Sequence, residues 1–188
     1  MAIAGFYWLI EGALAGSSRP GGSGGYGGRD SGGSGRHGGW GAPDAGDAQP
    51  ASGDLAARLD DDLAWLRAQG VGAVLSLTET PLPAEALARH NLAALHLPVD
   101  DMTAPTPEQF DRALTFIDQQ RVKGHSVVAH CKMGQGRTGA VLAAYLIRGG
   151  VSADAAMREL RAICPGALSA PEQERALHAF AKRRDWIV

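Results

Sequence analysis

The sequence predicts a single α/β domain whose central sheet is mostly parallel and flanked by helices on both faces. Three observations carry this. Strand-like and helix-like segments alternate along most of the 188 residues. The strand-like segments, "VGAVLSL" among them, are continuous apolar runs, as in strands buried on both faces. Hydrophobic residues are 45% and charged residues 20%, the balance of one globular domain with a real core.

The elements follow in order. "FYWLI" (6–10) and "ALAG" (13–16) read as short strands. "GDLAARLDDDLAWLRAQG" (53–70) reads as a helix with Asp54 as cap, Leu55, Leu59, Leu63 and Leu66 at helical spacing, and Gly70 at its end. "VGAVLSL" (71–77) is a strand, "PAEALARHN" (83–91) a short helix and "LAALHLPV" (92–99) another strand. "TPEQFDRALTFIDQQRVKG" (106–124) is a helix opened by Thr106 as cap, Pro107 in the first turn, and the acidic Glu108 and Asp111. "HSVVAH" (125–130) is a strand. "TGAVLAAYLIRGG" (138–150) is an apolar, hence buried, helix. "SADAAMRELRAI" and "APEQERALHAFAKRRD" are two further amphipathic helices.

Residues 17–53 differ from the rest. They hold 14 of the 26 glycines and almost no aliphatic side chains, so they cannot bury enough apolar surface to offset their ordering entropy. The chain therefore divides into first strands at 1–16, a flexible Gly/Ser-rich insertion at 17–53, and the remainder of the same domain at 54–188. Stretching a six-residue loop to that length costs only about 1.6 kcal/mol of closure entropy. Tyr26 and Trp40 read as stray aromatics of this insertion.

Charge and cysteine content exclude several classes. A net charge of −2 argues against a nucleic-acid binder, and the short "KRRD" run reads as a solvated helix end. Two cysteines, Cys131 and Cys164, make no disulfide framework. No apolar stretch reaches the roughly 18 residues of a membrane span. The N-terminal apolar stretch lacks a preceding Lys or Arg and is interrupted by Glu11, so it reads as a strand rather than a signal peptide. A cytoplasmic monomer is expected.

The chemistry concentrates in "HCKMGQGRTG" (130–139), between a Val-rich strand and an apolar helix. In an open α/β sheet the ligand sits beyond the carboxyl ends of the strands, where this loop falls. Gly134 and Gly136 let successive N–H groups converge into an anion nest. The following helix adds the positive end of its dipole, and Arg137 adds a planar fork for two oxygens. Such donors fit a phosphate, and they also favour a thiolate at Cys131. One loop thus binds a phosphoryl group and aims a nucleophile at it. The Thr138 hydroxyl can donate to that thiolate. The ending differs from the Gly-Lys-Ser/Thr of nucleotide-binding loops. A phosphate ester also needs a proton donor for its leaving group, and "LPVDDMTAPTP" brings Asp100 and Asp101 to the same rim.

These residues, with "FYWLIEGALAG", "GVGAVLSLTE" and "CPGALSAPEQERAL" in that order, resemble the small dual-specificity branch of the protein tyrosine phosphatase superfamily. The resemblance implies a cysteine-based phosphatase fold and a metal-independent, cofactor-free, two-step hydrolysis. In it Cys131 is the nucleophile. Arg137 and the loop amides of Lys132, Met133, Gly134, Gln135 and Gly136 bind the phosphoryl oxygens. His130 orders the loop and helps keep the thiolate, and Thr138 assists breakdown of the intermediate. Asp101 is the general acid, with Pro105 completing the pattern and Asp100 as the alternative, and Gln173 helps position water. The implied substrates are phosphotyrosine and phosphoserine/threonine in proteins. A phosphoinositide or other small phosphate ester, and a phospho-binding module without turnover, stand as the other readings. Two departures mark this chain: Cys164 replaces the arginine of an Arg-Pro-Gly pattern, and the Gly-rich insertion lies outside the pattern. Cys164 reads as an inert thiol or as a redox partner of Cys131.

Overall fold

Ser17, His130 and Ser76 lie side by side at one rim of a five-stranded sheet, the rim from which the cysteine loop departs. The computed structural model describes residues 3–22 and 52–183. In chain order the elements are β1 (Tyr7–Ile10), β2 (Leu14–Ser17), α1 (Ser52–Ala68), β3 (Val71–Ser76), α2 (Ala84–Arg89), β4 (Ala93–His96), α3 (Pro107–Val122), β5 (Ser126–His130), α4 (Gly136–Arg148), α5 (Ala153–Ile163) and α6 (Pro171–Ala181). The strand order is β1-β2-β5-β3-β4. β5 is central and parallel to both neighbours, and β3 and β4 are parallel. β1 runs antiparallel to β2, so the sheet is mixed; the Gly12 turn between them, at φ +64°, is too short for a parallel crossover.

Alternation along the buried strands divides the core. Leu14, Ala73, Leu75, Val127 and Ala129 face α3 to α6, while Ala15, Val74 and Val128 face α1 and α2. The predicted elements are all present, with shifted ends. Helix α1 starts at Ser52, before the expected cap, so Asp54 sits in its first turn, where a carboxylate still complements the dipole. Leu59, Leu63 and Leu66 are buried, but Leu55 is 38% exposed. Thr106 caps α3 as expected and forms a reciprocal pair with Gln109.

The start expected for the insertion falls inside the sheet. Ser17 is buried in β2, Ser18 bonds the Ala4 carbonyl through its N–H (3.2 Å) and hydroxyl (2.6 Å), and the Gly21 N–H reaches Asp62 at 2.7 Å. The rest of the expected insertion, residues 23–51 with Tyr26 and Trp40, lies outside the described residues.

Candidate active site

β5 ends at His130, and the chain turns through residues 131–135 into α4, which begins at Gly136, two residues before the predicted start. Gly134 holds φ +75°, and a Cβ there would lie 2.5 Å from the Ser17 carbonyl carbon. Conformation and space therefore both require glycine. A Cβ on Gly136 would lie 2.7 Å from the Gln173 amide nitrogen.

The loop carbonyls are held on its outer side. That of Lys132 accepts the Arg19 N–H (3.3 Å), that of Gly134 accepts the Tyr7 hydroxyl (2.9 Å), and that of Cys131 faces His130 Nδ1 (3.4 Å). A trans peptide points its N–H opposite to its carbonyl, so the amides of Met133 and Gln135 turn away from these partners. The first N–H groups of α4 have no intrahelical acceptor, and the Gln135 side chain does not cap them. Loop and helix end together form an anion cradle.

Arg137 is 2% exposed, yet its guanidinium has three oxygen partners. Nη1 donates to Glu79 Oε1 (2.9 Å) and to the Val99 carbonyl (2.8 Å), and Nη2 pairs with Asp101 Oδ1 (3.1 Å). Glu79's own backbone N–H, then Arg137, hold its carboxyl below the usual range. Cys131 is buried, 3% exposed. His130 is completely buried, which lowers its pKa to about 3. The ring is therefore neutral: Nδ1–H serves the Cys131 carbonyl and Nε2 accepts from the Ser76 hydroxyl at 2.7 Å. The neutral ring thus joins the Cys131 carbonyl to Ser76 on β3. Thr138 Oγ1 is buried without a hydrogen-bond partner among the described residues, Cys131 included.

A cavity of about 130 Å³ opens over the loop. Cys131, Lys132, Met133, Gln135, Gly136 and Arg137 line it from below, and Asp101 and Gln173 from the rim. Asp100 does not line it; its carbonyl accepts the N–H and hydroxyl of Thr103 instead. Gln173 spans α6, the acid loop and the cradle, for its amide donates to the Thr103 carbonyl (3.1 Å) while lying over Gly136. Sequence reasoning missed Glu79, the Val99 carbonyl, Ser76 and Tyr7. Glu79 had a signal, an acid directly after a buried parallel strand. The others had none, because their roles exist only across the fold.

Solved structures resembling this fold include small phosphatases of the protein tyrosine phosphatase and dual-specificity type. A crystal structure of Tk-PTP in its active form is 32% identical with TM-score 0.62, covering 66% of this chain and 87% of that one. A mutant form of Tk-PTP, with alanine in place of one glycine, gives 26% and 0.67, with 95% of each chain covered. The chain itself belongs to the family described as "Polymorphic toxin system, DSP-PTPase phosphatase", whose model matches residues 50–151. Phosphatidylglycerophosphate phosphatase PTPMT2 of Arabidopsis thaliana is 30% identical over 126 residues, 64% of this chain and 55% of that protein. Tyrosine-protein phosphatase CDC14 of Candida albicans is 31% identical over 101 residues, 53% of this chain and 19% of that one. The chain thus spans about half the length of the first of these relatives and a fifth of the second. Among the described residues no helix is long and apolar enough to cross a membrane.

Proposed function

We propose that the chain is a cysteine-dependent phosphomonoesterase that hydrolyses phosphotyrosine, and phosphoserine or phosphothreonine, through a phosphocysteine intermediate. The observation that carries this reading is one cavity lined by Cys131, Arg137 and Asp101 over an uncapped helix start. Cys131 Sγ attacks phosphorus in line with the ester oxygen, forming an S–P bond as the P–O bond breaks. The cradle amides and Arg137 hold the equatorial oxygens, where charge gathers. Glu79 and Val99 fix Nη1, so the fork stands ready before substrate arrives. An incoming phosphoryl oxygen replaces the Asp101 carboxylate on Nη2; Asp101, freed from the ion pair, takes up a proton from solvent and, as the acid, passes it to the leaving oxygen. In the second step Asp101 takes a proton from water, which attacks phosphorus and releases Cys131 and inorganic phosphate. Thr138, whose hydroxyl is uncommitted, donates to the departing thiolate. Gln173 orients the water.

The test is phosphate release from an aryl phosphate in EDTA by wild type and Cys131→Ser. Activity in the wild type and none in the variant supports the mechanism; equal activity in both rejects it. A second reading, a lipid phosphate monoester as substrate, is favoured by the exposed Lys132 directly after the nucleophile and by the name of the Arabidopsis relative. Higher kcat/KM on phosphatidylglycerophosphate micelles than on a phosphotyrosyl peptide would choose it.

A further inference from the structure

Tyr7 lies outside both the cavity and the residues matched by the family model, yet its hydroxyl ends on the cradle. It reaches there by a specific route. β1 pairs with β2 so that Tyr7 stands opposite Gly16. A Cβ on Gly16 would lie 2.4 Å from Tyr7 Cζ and 2.5 Å from its hydroxyl oxygen. Only a glycine at 16 lets the ring lie across β2 and under the loop. The phenol then donates to the Gly134 carbonyl at 2.9 Å, joining residues 127 apart in sequence. Cys164, at the C-terminal end of α5, neighbours Tyr7. The Gly134 carbonyl has no proton to give, so the phenol is the donor in their bond. Burial keeps the phenol protonated, the state this bond requires.

The peptide that Tyr7 holds starts at a glycine with positive φ. The 134–135 peptide plane turns about ψ of Gly134 and φ of Gln135, and Gly134, with no Cβ, offers little resistance on its side. Turned over, that plane would point its carbonyl oxygen at an anion and withdraw the Gln135 N–H. We propose that Tyr7 is a positioning residue: its hydroxyl fixes the Gly134–Gln135 peptide so that the Gln135 N–H faces the phosphoryl oxygens. The inference rests on the phosphatase reading of this loop, but it concerns oxyanion binding and is tested without turnover.

The experiment measures binding of inorganic phosphate to the full chain by calorimetry, for wild type, Tyr7→Phe and Cys164→Ala, with thermal melting of each. Tyr7→Phe keeps the ring and removes one oxygen. Its phosphate Kd is expected to rise about three- to tenfold, the size of one hydrogen bond, with kcat/KM on an aryl phosphate falling by the same factor. Cys164→Ala disturbs the same neighbourhood but spares the bond to Gly134, so its Kd should stay within about twofold of wild type. A folded Tyr7→Phe that binds phosphate as wild type does overturns the proposal. So does an equal loss in Cys164→Ala, which would assign the effect to packing. Should Tyr7→Phe fail to fold, Gly16→Ala displaces the same ring, and unchanged phosphate affinity in that variant overturns the proposal equally. Wild type that binds phosphate but hydrolyses no ester overturns the phosphatase reading and leaves the Tyr7 comparison intact. Wild type that does not bind phosphate overturns both.

Discussion

The cysteine loop and the acid loop meet at one cavity but are built in opposite ways. In the first, Cys131, Arg137 and Thr138 are buried, the carbonyls of Lys132 and Gly134 face donors from elsewhere in the fold, and that of Cys131 faces the neighbouring His130 ring. In the second, Asp101 is 56% exposed and Met102 60%, and several bonds stay within the loop: the Met102 N–H to Asp101 and the Thr103 N–H to Asp100. Met102 even holds a positive φ of 63°, a conformation a residue with a side chain keeps only under local constraint. An oxyanion cradle works by being in place before charge develops, which demands rigid, over-determined peptides. The proposed acid, Asp101, has to let go of Arg137 and follow the leaving oxygen, which demands a loop held by few outside contacts.

The most severe way to test this contrast is Cys131→Ser. Turnover should fall by about 10⁴-fold or more while the melting curve barely moves, as checked by phosphate release and circular dichroism. Asp101→Asn should separate the two loops: kcat on unactivated alkyl phosphates falls roughly 10²- to 10⁴-fold, with aryl phosphates of good leaving groups much less affected and phosphate affinity kept. Asp100→Asn should do neither; if it reproduces the Asp101 pattern, the assignment of the acid is wrong. Gly134→Ala strikes the rigid loop through its backbone. A side chain at φ +75° costs roughly 1–3 kcal/mol, and its Cβ meets the Ser17 carbonyl, so both melting temperature and phosphate affinity should drop. An unaltered melting temperature would show that the loop can move as a whole.

The smallest expected effect concerns His130. Its folded pKa of about 3 lies below the unfolded value near 6.5, so below pH 6.5 the unfolded chain binds the extra proton. Stability is therefore full above pH 6.5 and declines as pH falls toward 3. From pH 7 to 5 this group alone removes about 2 kcal/mol. Urea titrations at both pH values should show that loss in wild type and a flatter dependence in His130→Gln. The same slope in both would place the proton elsewhere.

Much of this could be read from residues in a row. The cysteine loop was legible because cysteine, glycines, arginine and helix start lie within ten residues, and a nest is a local structure. The helices were legible because apolar spacing and caps act within a turn or two; Thr106 with Gln109 is one such case. The ends of β2 and α1 were misplaced, because Ser17 and Ser18 are polar in sequence and ordered only by Ala4 and by neighbouring strands. The choice between Asp100 and Asp101 could be suggested by a pattern, but the observation that favours Asp101 is its carboxylate on Arg137 Nη2.

By itself, then, the sequence determined the order of strands and helices along the chain, the place of the loop between a strand and a helix, and a set of candidate groups for binding a phosphate. Those follow from periodicity, turn residues and local donors. Only the tertiary structure decided what holds them: Glu79 and Val99 behind Arg137, Ser76 on His130, and Tyr7 through the gap at Gly16 onto Gly134. These partners are 38 to 127 residues apart. A hydrogen bond across such a distance leaves no trace in local sequence, because it depends on where the sheet and helices bring the chain back.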